Sequence, residues 1–135
     1  MTSGKERRVH SGEKGTALVE MALVLPVFLL ILLGIMEFGL AINAYVTVQH
    51  AAREGARLGI MGASDAEITA RVHDAAYPVD PARIGVTILP EPALRERGQP
   101  LTVSVEYTHE FLTPLVSSVV GGSVVLESSV DMRIE

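Results

Sequence analysis

The stretch GTALVEMALVLPVFLLILLGIMEFGLAI, residues 15–42, decides the architecture of this chain. From residue 17 to residue 42 nearly every side chain is apolar. A helix over this range, at about 1.5 Å per residue, is long enough to cross the roughly 30 Å of hydrocarbon in a bilayer. Glu20 interrupts the pattern with a carboxylate near the start of the run. An ionised acid inside a membrane helix costs a few kcal/mol unless it has a partner or reaches the interface.

The residues before this stretch form a short polar leader with more positive than negative charge. They contain no apolar run, and a basic flank favours retention on the cytoplasmic side. The simplest topology is therefore a single pass with the N-terminus in the cytoplasm, which gives a basic leader at residues 1–15 and a transmembrane helix at residues 16–42. The charged residues of the leader are Lys5, Arg7, Arg8 and Lys14 against Glu6 and Glu13.

Two other interpretations of the apolar run remain open. A secretory signal peptide also has a basic start and an apolar centre, and Gly39, Ala41 and Ala44 are small enough to form a cleavage site. However, the run exceeds the roughly 7 to 15 apolar residues of a usual signal core, and the helical pattern continues beyond it. A buried core helix is the second alternative, but so small a domain would hardly cover it.

The composition of the chain argues against several classes of function. The 135 residues carry a net charge of -5, and Lys and Arg form no cluster outside the leader, which argues against a nucleic-acid surface. The chain has no Cys, so it has neither a disulfide framework nor a thiolate metal site. Most of the apolar excess lies in the run itself, which leaves a polar remainder for one small soluble domain.

Glu20 has an ordinary interpretation as well as an unusual one. It lies only about one turn inside the run, so its carboxylate could extend to the lipid headgroups. Glu37, at the opposite end of the run, is expected at the other interface. Pro26 lacks a backbone N–H and is expected to kink or loosen the helix, which membrane helices tolerate when neighbouring groups compensate.

The residues around Glu20 match a known pattern. GTALVE, residues 15–20, resembles a type IV prepilin processing site, in which a basic leader ends in Gly and the fifth residue of the mature apolar helix is Glu. Nearly the whole chain resembles the TadE-like pseudopilins of tight-adherence (Flp) pilus systems, although it has Met21 where Phe or Tyr is common. The stretches that carry this likeness are ALVEMALVLPVFLLILLGIMEFG, AAREGARLGI, TVSVEYTHEFLTPLV and VVLESSVDMRIE.

The resemblance implies an explanation for Glu20. In this family a prepilin peptidase would cut after Gly15 and free the amino group of Thr16 at the membrane edge. That cationic group, with an ordinary pKa of about 7.7 to 8.0, would pair with Glu20 of its own or a neighbouring subunit and set the register of assembly. The implied partners are other pilins and pseudopilins, the peptidase, the inner-membrane assembly platform and membrane lipid. The implied location is the bacterial cytoplasmic membrane with the head outside, with or without entry into a surface pilus.

Helical character continues past the membrane through residues 43–60, which contain no Pro. Small side chains recur here at spacings of three and four residues, which lets another backbone approach closely. We expect this stripe to pack on the protein's own sheet, with an interface to other subunits as the second choice. Glu54 can reach Arg57 at a spacing of three, and the alternative is that these charges simply form a solvated helix face. The stripe comprises Ala51, Ala52, Gly55, Ala56 and Gly59.

Residues 61–135 are predicted to form a small α+β head. Ser64 and Glu67 have the spacing of a capping box and predict a short helix that ends near Tyr77, ahead of Pro78. Alternating apolar residues predict three strands, in RIGVTILP, LTVSVEYTH and SVVLESSVDMRIE. A sheet with one apolar face needs a cover, and the outer half of the long helix is the candidate. The predicted fold is therefore type IV pilin-like, with a long transmembrane helix that continues as a stalk and packs on a small antiparallel sheet.

Two connections in the head also have predicted roles. The polar loop at residues 90–100 is expected to be exposed, either as a contact surface or as a tolerated insertion. FLTPLVSSVVGG, residues 111–122, is apolar but too short to span a membrane, and its pattern predicts a turn that covers the sheet.

The sequence contains no pattern typical of catalysis or metal binding. Its four His residues are scattered without ligand spacing, and Glu20 and Glu37 lie about 25 Å apart along a helix, too far to act as an acid–base pair. We therefore expect a structural protein and not an enzyme, with no cofactor, small-molecule substrate or nucleic-acid partner. The alternatives are an uncleaved single-pass protein with a binding head, and a secreted protein whose new N-terminus lies near Ile42 or Tyr45.

Overall fold

The computed structural model describes residues 10–135, with side chains from residue 15 onward. Residues 1–9, which include most of the predicted leader, lie outside the described residues. The described chain is an α+β arrangement of a long helix and a small sheet, as predicted. Its elements are helix α1 (His10–Ile60), helix α2 (Asp65–Ala75), strand β1 (Ile84–Leu89), strand β2 (Pro100–Glu110), helix α3 (Pro114–Val120) and strand β3 (Ser123–Arg133), with short 3-10 turns at Pro81–Arg83 and Pro92–Leu94.

Helix α1 is continuous over 51 residues, about 75 Å by the standard rise. It passes through Pro26 without an interruption of the helix. It also includes His10, so the helix does not begin at Thr16, the first residue after the predicted cleavage site. A single glycine weakens a helix by only about 1 kcal/mol relative to alanine, which is why Gly15 does not end it.

Helix α2 begins with the predicted capping box. The Glu67 N–H donates to Ser64 Oγ at 3.4 Å, and the Ser64 N–H donates to Glu67 Oε2 at 2.8 Å. The helix ends at Ala75, slightly before the predicted end near Tyr77. Ile68 and Val72 are fully buried and form the face that α2 presents to α1.

The three strands form one antiparallel sheet in the order β1-β2-β3, with β2 in the centre. Val105 of β2 lies opposite Val86 of β1 and Ser128 of β3. Alternate residues of β2 are buried, as the alternating sequence predicts. The outer half of α1 and the inner face of α2 cover this side of the sheet, so the predicted cover is confirmed. The fully buried core residues are Val48, Ala51, Ala52, Ala56, Ile68, Val72, Ala76, Leu101, Val103 and Val105.

The connection between β2 and β3 differs from the prediction. Residues 114–120 form helix α3 and not only a turn. Pro114 suits the first turn of a helix, and Gly121 ends the helix with a positive φ of 107° that glycine adopts without strain. Val116 is buried, so α3 does cover part of the head.

Candidate functional site

The predicted cleavage site lies on the exposed surface of α1. Gly15 and Thr16 are both exposed, and the peptide bond between them is part of the helix. A Cβ atom added at Gly15 would meet nothing within 4 Å. Packing among the described residues therefore gives no reason for glycine at this position.

Glu20 lies one helical turn beyond Thr16, about 6 Å along the helix axis. Its side chain is exposed, and it is the only charged residue between residues 15 and 36. Among the residues that the structure describes, no hydrogen bond or ion pair involves its carboxylate. Among the described residues this acid therefore has no partner, although the surface that follows it along the helix is apolar.

The apolar run of α1 is not a core helix. Its length and composition are sufficient to cross a membrane, and its most apolar part has no buried residue. Large side chains point outward along the whole run, among them Leu18, Leu23, Phe28, Ile35 and Phe38. The buried-core alternative therefore does not describe this segment.

Glu37 is buried among protein groups that the sequence did not reveal. Only 2% of the residue is exposed, and the prediction that it lies at the second membrane interface did not include this burial by protein. The backbone N–H of Thr113 donates to Glu37 Oε1 at 2.6 Å. Glu37 Oε2 and the Nε2 atom of His109 are both buried without a hydrogen-bond partner among the described residues. The His109 ring lies between Tyr107 and Phe111, with ring centroids 6.1 Å and 5.8 Å away.

The residues next to Glu37 leave an apolar surface uncovered. On α3 and the preceding turn, Leu112, Leu115 and Val119 are 75%, 61% and 77% exposed. Beside them is an apolar groove of about 360 Å³ between α1 and the sheet. The groove is lined by Phe38, Ala41, Ile42, Tyr45, Phe111, Val120, Val124 and Leu126.

The small-residue stripe faces the protein's own head. All five residues are buried. A Cβ added at Gly55 would lie 2.5 Å from Val72 Cγ2, and one at Gly59 would overlap Leu101 Cδ2. The stripe therefore lets α2 and β2 approach the backbone of α1, and it is not available to another subunit in this arrangement.

The family model for TadE-like proteins matches residues 15–57. We call these residues, which are similar to TadE-like proteins, the TadE-like segment. The match confirms the resemblance over these residues, and it begins at Gly15, the residue before the predicted cut. Neither a curated protein nor a solved structure gives a match to the chain.

The TadE-like segment contains most of the predicted functional residues. Gly15, Thr16 and Glu20 lie in it, together with the stripe residues up to Ala56. Gly59, α2 and the sheet follow it. The segment therefore includes the apolar run and the part of α1 on which the head packs.

The charged residues of the head form ion pairs that the sequence did not reveal. Glu54 Oε2 lies 2.6 Å from Arg71 Nη2 on α2, so the ion pair of Glu54 is with α2 and not with Arg57. A partner on a neighbouring element was closer than the one on the same helix. Arg95 pairs with Asp65, and its Nε donates to the Pro90 carbonyl at 3.0 Å, so the loop at residues 90–100 is tied to α2.

The capping box also lowers the pKa of Glu67. The N–H and the hydroxyl of Ser64 donate to the Glu67 carboxylate and hold the pKa of Glu67 below its ordinary value. Among the side chains described from residue 15 onward, no group of three or more His, Asp and Glu residues is arranged to hold a metal ion. His50 and His73 lie on α1 and α2, and His109 lies on β2.

Proposed function

We propose that this chain is a minor pilin or pseudopilin of a tight-adherence (Flp) pilus. A TadE-like segment implies a component associated with such a pilus. In the proposed role the protein is structural and not catalytic. The apolar run packs in the bilayer or against other pilins, and the head presents a surface outside the cytoplasm.

One observation carries this proposal. Glu20 is exposed and unpartnered among the described residues, on an otherwise apolar surface, at the fifth position after the glycine where the TadE-like segment begins. A buried or lipid-facing carboxylate needs a compensating charge. Cleavage after Gly15 would supply one, because it would create the amino group of Thr16 one helical turn away.

Gly15 has properties that suit such a cut. As a glycine inside a helix it weakens the helix locally by about 1 kcal/mol, and it lets a peptidase approach the backbone closely. No packing contact among the described residues requires it. We propose that a prepilin peptidase in the inner membrane cuts the Gly15–Thr16 bond and that the assembly platform then receives the mature helix.

The contact between Glu37 and Thr113 favours this role over secretion. Signal peptidase cleavage before Ile42 or Tyr45 would remove Glu37 and leave the Thr113 N–H without its acceptor. It would also remove Phe38 from the apolar groove. A chain that keeps α1 attached retains both contacts.

The test is coexpression of the full chain with and without a prepilin peptidase, followed by intact mass and N-terminal sequencing of the membrane-extracted protein. We expect a product that starts at Thr16 only when an active peptidase is present. Gly15→Leu should abolish this product. Gly39→Leu is the matched control, because a Cβ at Gly39 also meets nothing within 4 Å.

Other products would contradict the proposal. A start at Met1 or Thr2 with active peptidase would indicate an uncleaved single-pass protein with a binding head. A start near Ile42 or Tyr45, independent of the peptidase, would indicate a secreted protein. Cleavage that Gly15→Leu and Gly39→Leu leave equally intact would exclude Gly15 as the processing site.

A further inference from the structure

Helix α3 has apolar side chains on both of its faces. Val116 points into the head and is buried, whereas Leu115 and Val119, one turn apart, point outward and are exposed. Leu112, three residues before Leu115, extends the outward face. A helix with apolar side chains on opposite faces is normally covered on both, and an exposed apolar patch marks an interaction surface.

The polar groups of α3 are satisfied within the helix itself. Ser117 Oγ donates to the Pro114 carbonyl at 2.9 Å, and Ser118 Oγ donates to the Leu115 carbonyl at 2.8 Å. No charged residue occurs in residues 111–126. Helix α3 therefore carries neither an ionised side chain nor a free side-chain hydroxyl donor that would oppose transfer into an apolar medium.

The position of α3 along α1 is set by Glu37. If the hydrocarbon begins just after Glu20, roughly 30 Å of helix ends near Leu40, which places Glu37 about 5 Å inside the outer boundary. Thr113 covers the Glu37 carboxylate, so the start of α3 must lie at the same depth. The outward face of α3 is thus continuous with the exposed apolar surface of α1.

We infer that α3 lies in the outer leaflet of the bilayer, with Leu112, Leu115 and Val119 in contact with lipid acyl chains. Membrane lipid is then bound by the head as well as by α1. This placement shields the Glu37 carboxylate from lipid and holds the base of the head on the membrane surface. The inference depends on α1 crossing the membrane, as proposed above.

The chain contains no Trp, so single Trp substitutions report on one position each. The full chain is reconstituted in phosphatidylcholine vesicles whose acyl chains carry bromine at a shallow or a deep position. We expect Leu115→Trp emission to be quenched, more strongly by shallow than by deep bromine. Phe28→Trp, in the middle of the apolar run, should show the opposite depth dependence.

Leu94→Trp is the matched control, because Leu94 is 63% exposed and Leu115 is 61% exposed, but Leu94 lies in the loop between β1 and β2. Its emission should not respond to either bromolipid. Val119→Trp is a second probe of α3 in case Leu115→Trp fails to fold, as judged by circular dichroism.

Two results would overturn the inference. In the first, bromolipid quenches Phe28→Trp but quenches neither α3 probe, and the α3 probes emit like Leu94→Trp. This result would mean that α1 is in the membrane and α3 is in water. In the second, the emission of the Trp probes on α3 does not respond to bromolipid but shifts with the protein-to-lipid ratio. This result would indicate that a second copy of the chain covers the surface. If Phe28→Trp is also not quenched, the membrane-spanning role of α1 fails as well.

Discussion

The backbone N–H of Thr113 donates to the Glu37 carboxylate at 2.6 Å, across 76 positions of sequence. This contact joins the start of α3 to the end of the apolar run. It gives an acid in a hydrophobic stretch a protein partner and determines where the base of the head lies along α1.

Loss of this contact should loosen α3 without unfolding the sheet. In Glu37→Ala the Thr113 N–H has no acceptor, so we expect faster amide hydrogen exchange over residues 111–120 and unchanged exchange in β2. Glu37→Gln keeps an acceptor oxygen but loses the charge, and it should show a smaller effect because charge-assisted hydrogen bonds are the stronger ones. Exchange is measured by mass spectrometry on the full chain in micelles.

Glu20→Gln is the control for this experiment, because it neutralises an exposed acid on the same helix that contacts nothing in the head. It should leave exchange over residues 111–120 unchanged. Equal protection of α3 in Glu37→Ala and the unsubstituted chain would mean that the hydrogen bond does not hold α3 in place.

Substitution of Gly55 by Ala should destabilise the head although alanine is the better helix former. The added Cβ would lie 2.5 Å from Val72 Cγ2, and Val72 is stiff and fully buried. We expect the overpacking penalty of about 1–3 kcal/mol to exceed the helix-propensity gain of about 1 kcal/mol. Denaturant unfolding of the full chain in micelles measures the change.

Two variants test whether this clash is the cause. Gly39→Ala, where nothing lies within 4 Å, should not lower stability. The double variant Gly55→Ala with Val72→Ala should cost less than the sum of the two single changes, because the truncated side chain leaves room for the new methyl. Additive effects would show that the glycine is not needed for the approach of α2.

The features that follow local rules were predictable from the sequence. The apolar run predicts α1, the Ser64 and Glu67 spacing predicts the start of α2, and alternation predicts the three strands. Each of these signals is set by residues a few positions apart. The family resemblance was predictable for the same reason, because the motif at residues 15–20 and the stretches that support it are each local in sequence.

The features that depend on distant residues were not predictable in this way. Glu37 meets Thr113, and Arg95 meets Asp65, only after the sheet has packed on α1 and α2. Glu54 is an example, because its spacing from Arg57 suggests a pair on the same helix, but in the folded chain it pairs with Arg71 on α2. The uncharged run at residues 111–126 was visible, but its outward face became apparent only when the buried side of α3 was known.

Protonation of Glu67 should weaken the capping box and so make the head less stable at acidic pH. The pKa of Glu67 is lowered in the folded state, so its contribution is fully present above about 4.3, the ordinary value, and is lost as the pH falls through the folded value. We therefore expect the midpoint temperature of thermal unfolding to decrease as the pH is lowered below about 4.3. Circular dichroism of the full chain in micelles follows this change.

Glu67→Gln should reduce this pH dependence, because glutamine can keep the capping geometry but does not ionise. Glu91→Gln is the control, since Glu91 makes no side-chain cap hydrogen bond and should leave the pH dependence unchanged. An acid-induced loss of the same size in Glu67→Gln and the unsubstituted chain would assign the effect to other carboxylates.

The ion pair between Arg95 and Asp65 should order the loop at residues 90–100. The Arg95 side chain is 12% exposed and that of Asp65 is 42% exposed, so solvent screening limits the expected loss of stability in Arg95→Ala to about 1 kcal/mol. Amide exchange over residues 91–97 should become faster. Arg97→Ala removes an exposed arginine from the same loop and should change neither quantity; equal effects of both substitutions would refute a specific role for the pair.

Neutralisation of Glu20 should separate membrane insertion from assembly. Glu20→Ala removes a carboxylate from an apolar surface, so insertion of α1 should be unchanged or easier. Assembly should fail if the acid must meet the amino group of Thr16. In cells that express the remaining pilus components, we expect normal amounts of the variant in the membrane fraction and fewer surface fibres by electron microscopy.

The size and charge of the side chain at this position can be varied independently. Glu20→Gln has nearly the same shape without charge and should fail like Glu20→Ala, whereas Glu20→Asp keeps the charge and should retain part of the assembly. Met21→Ala changes the adjacent side chain and should assemble normally if charge is what matters. Normal fibres with Glu20→Gln would refute the charge-pairing mechanism, because a neutral amide does not provide the counter-charge that a cationic chain end requires.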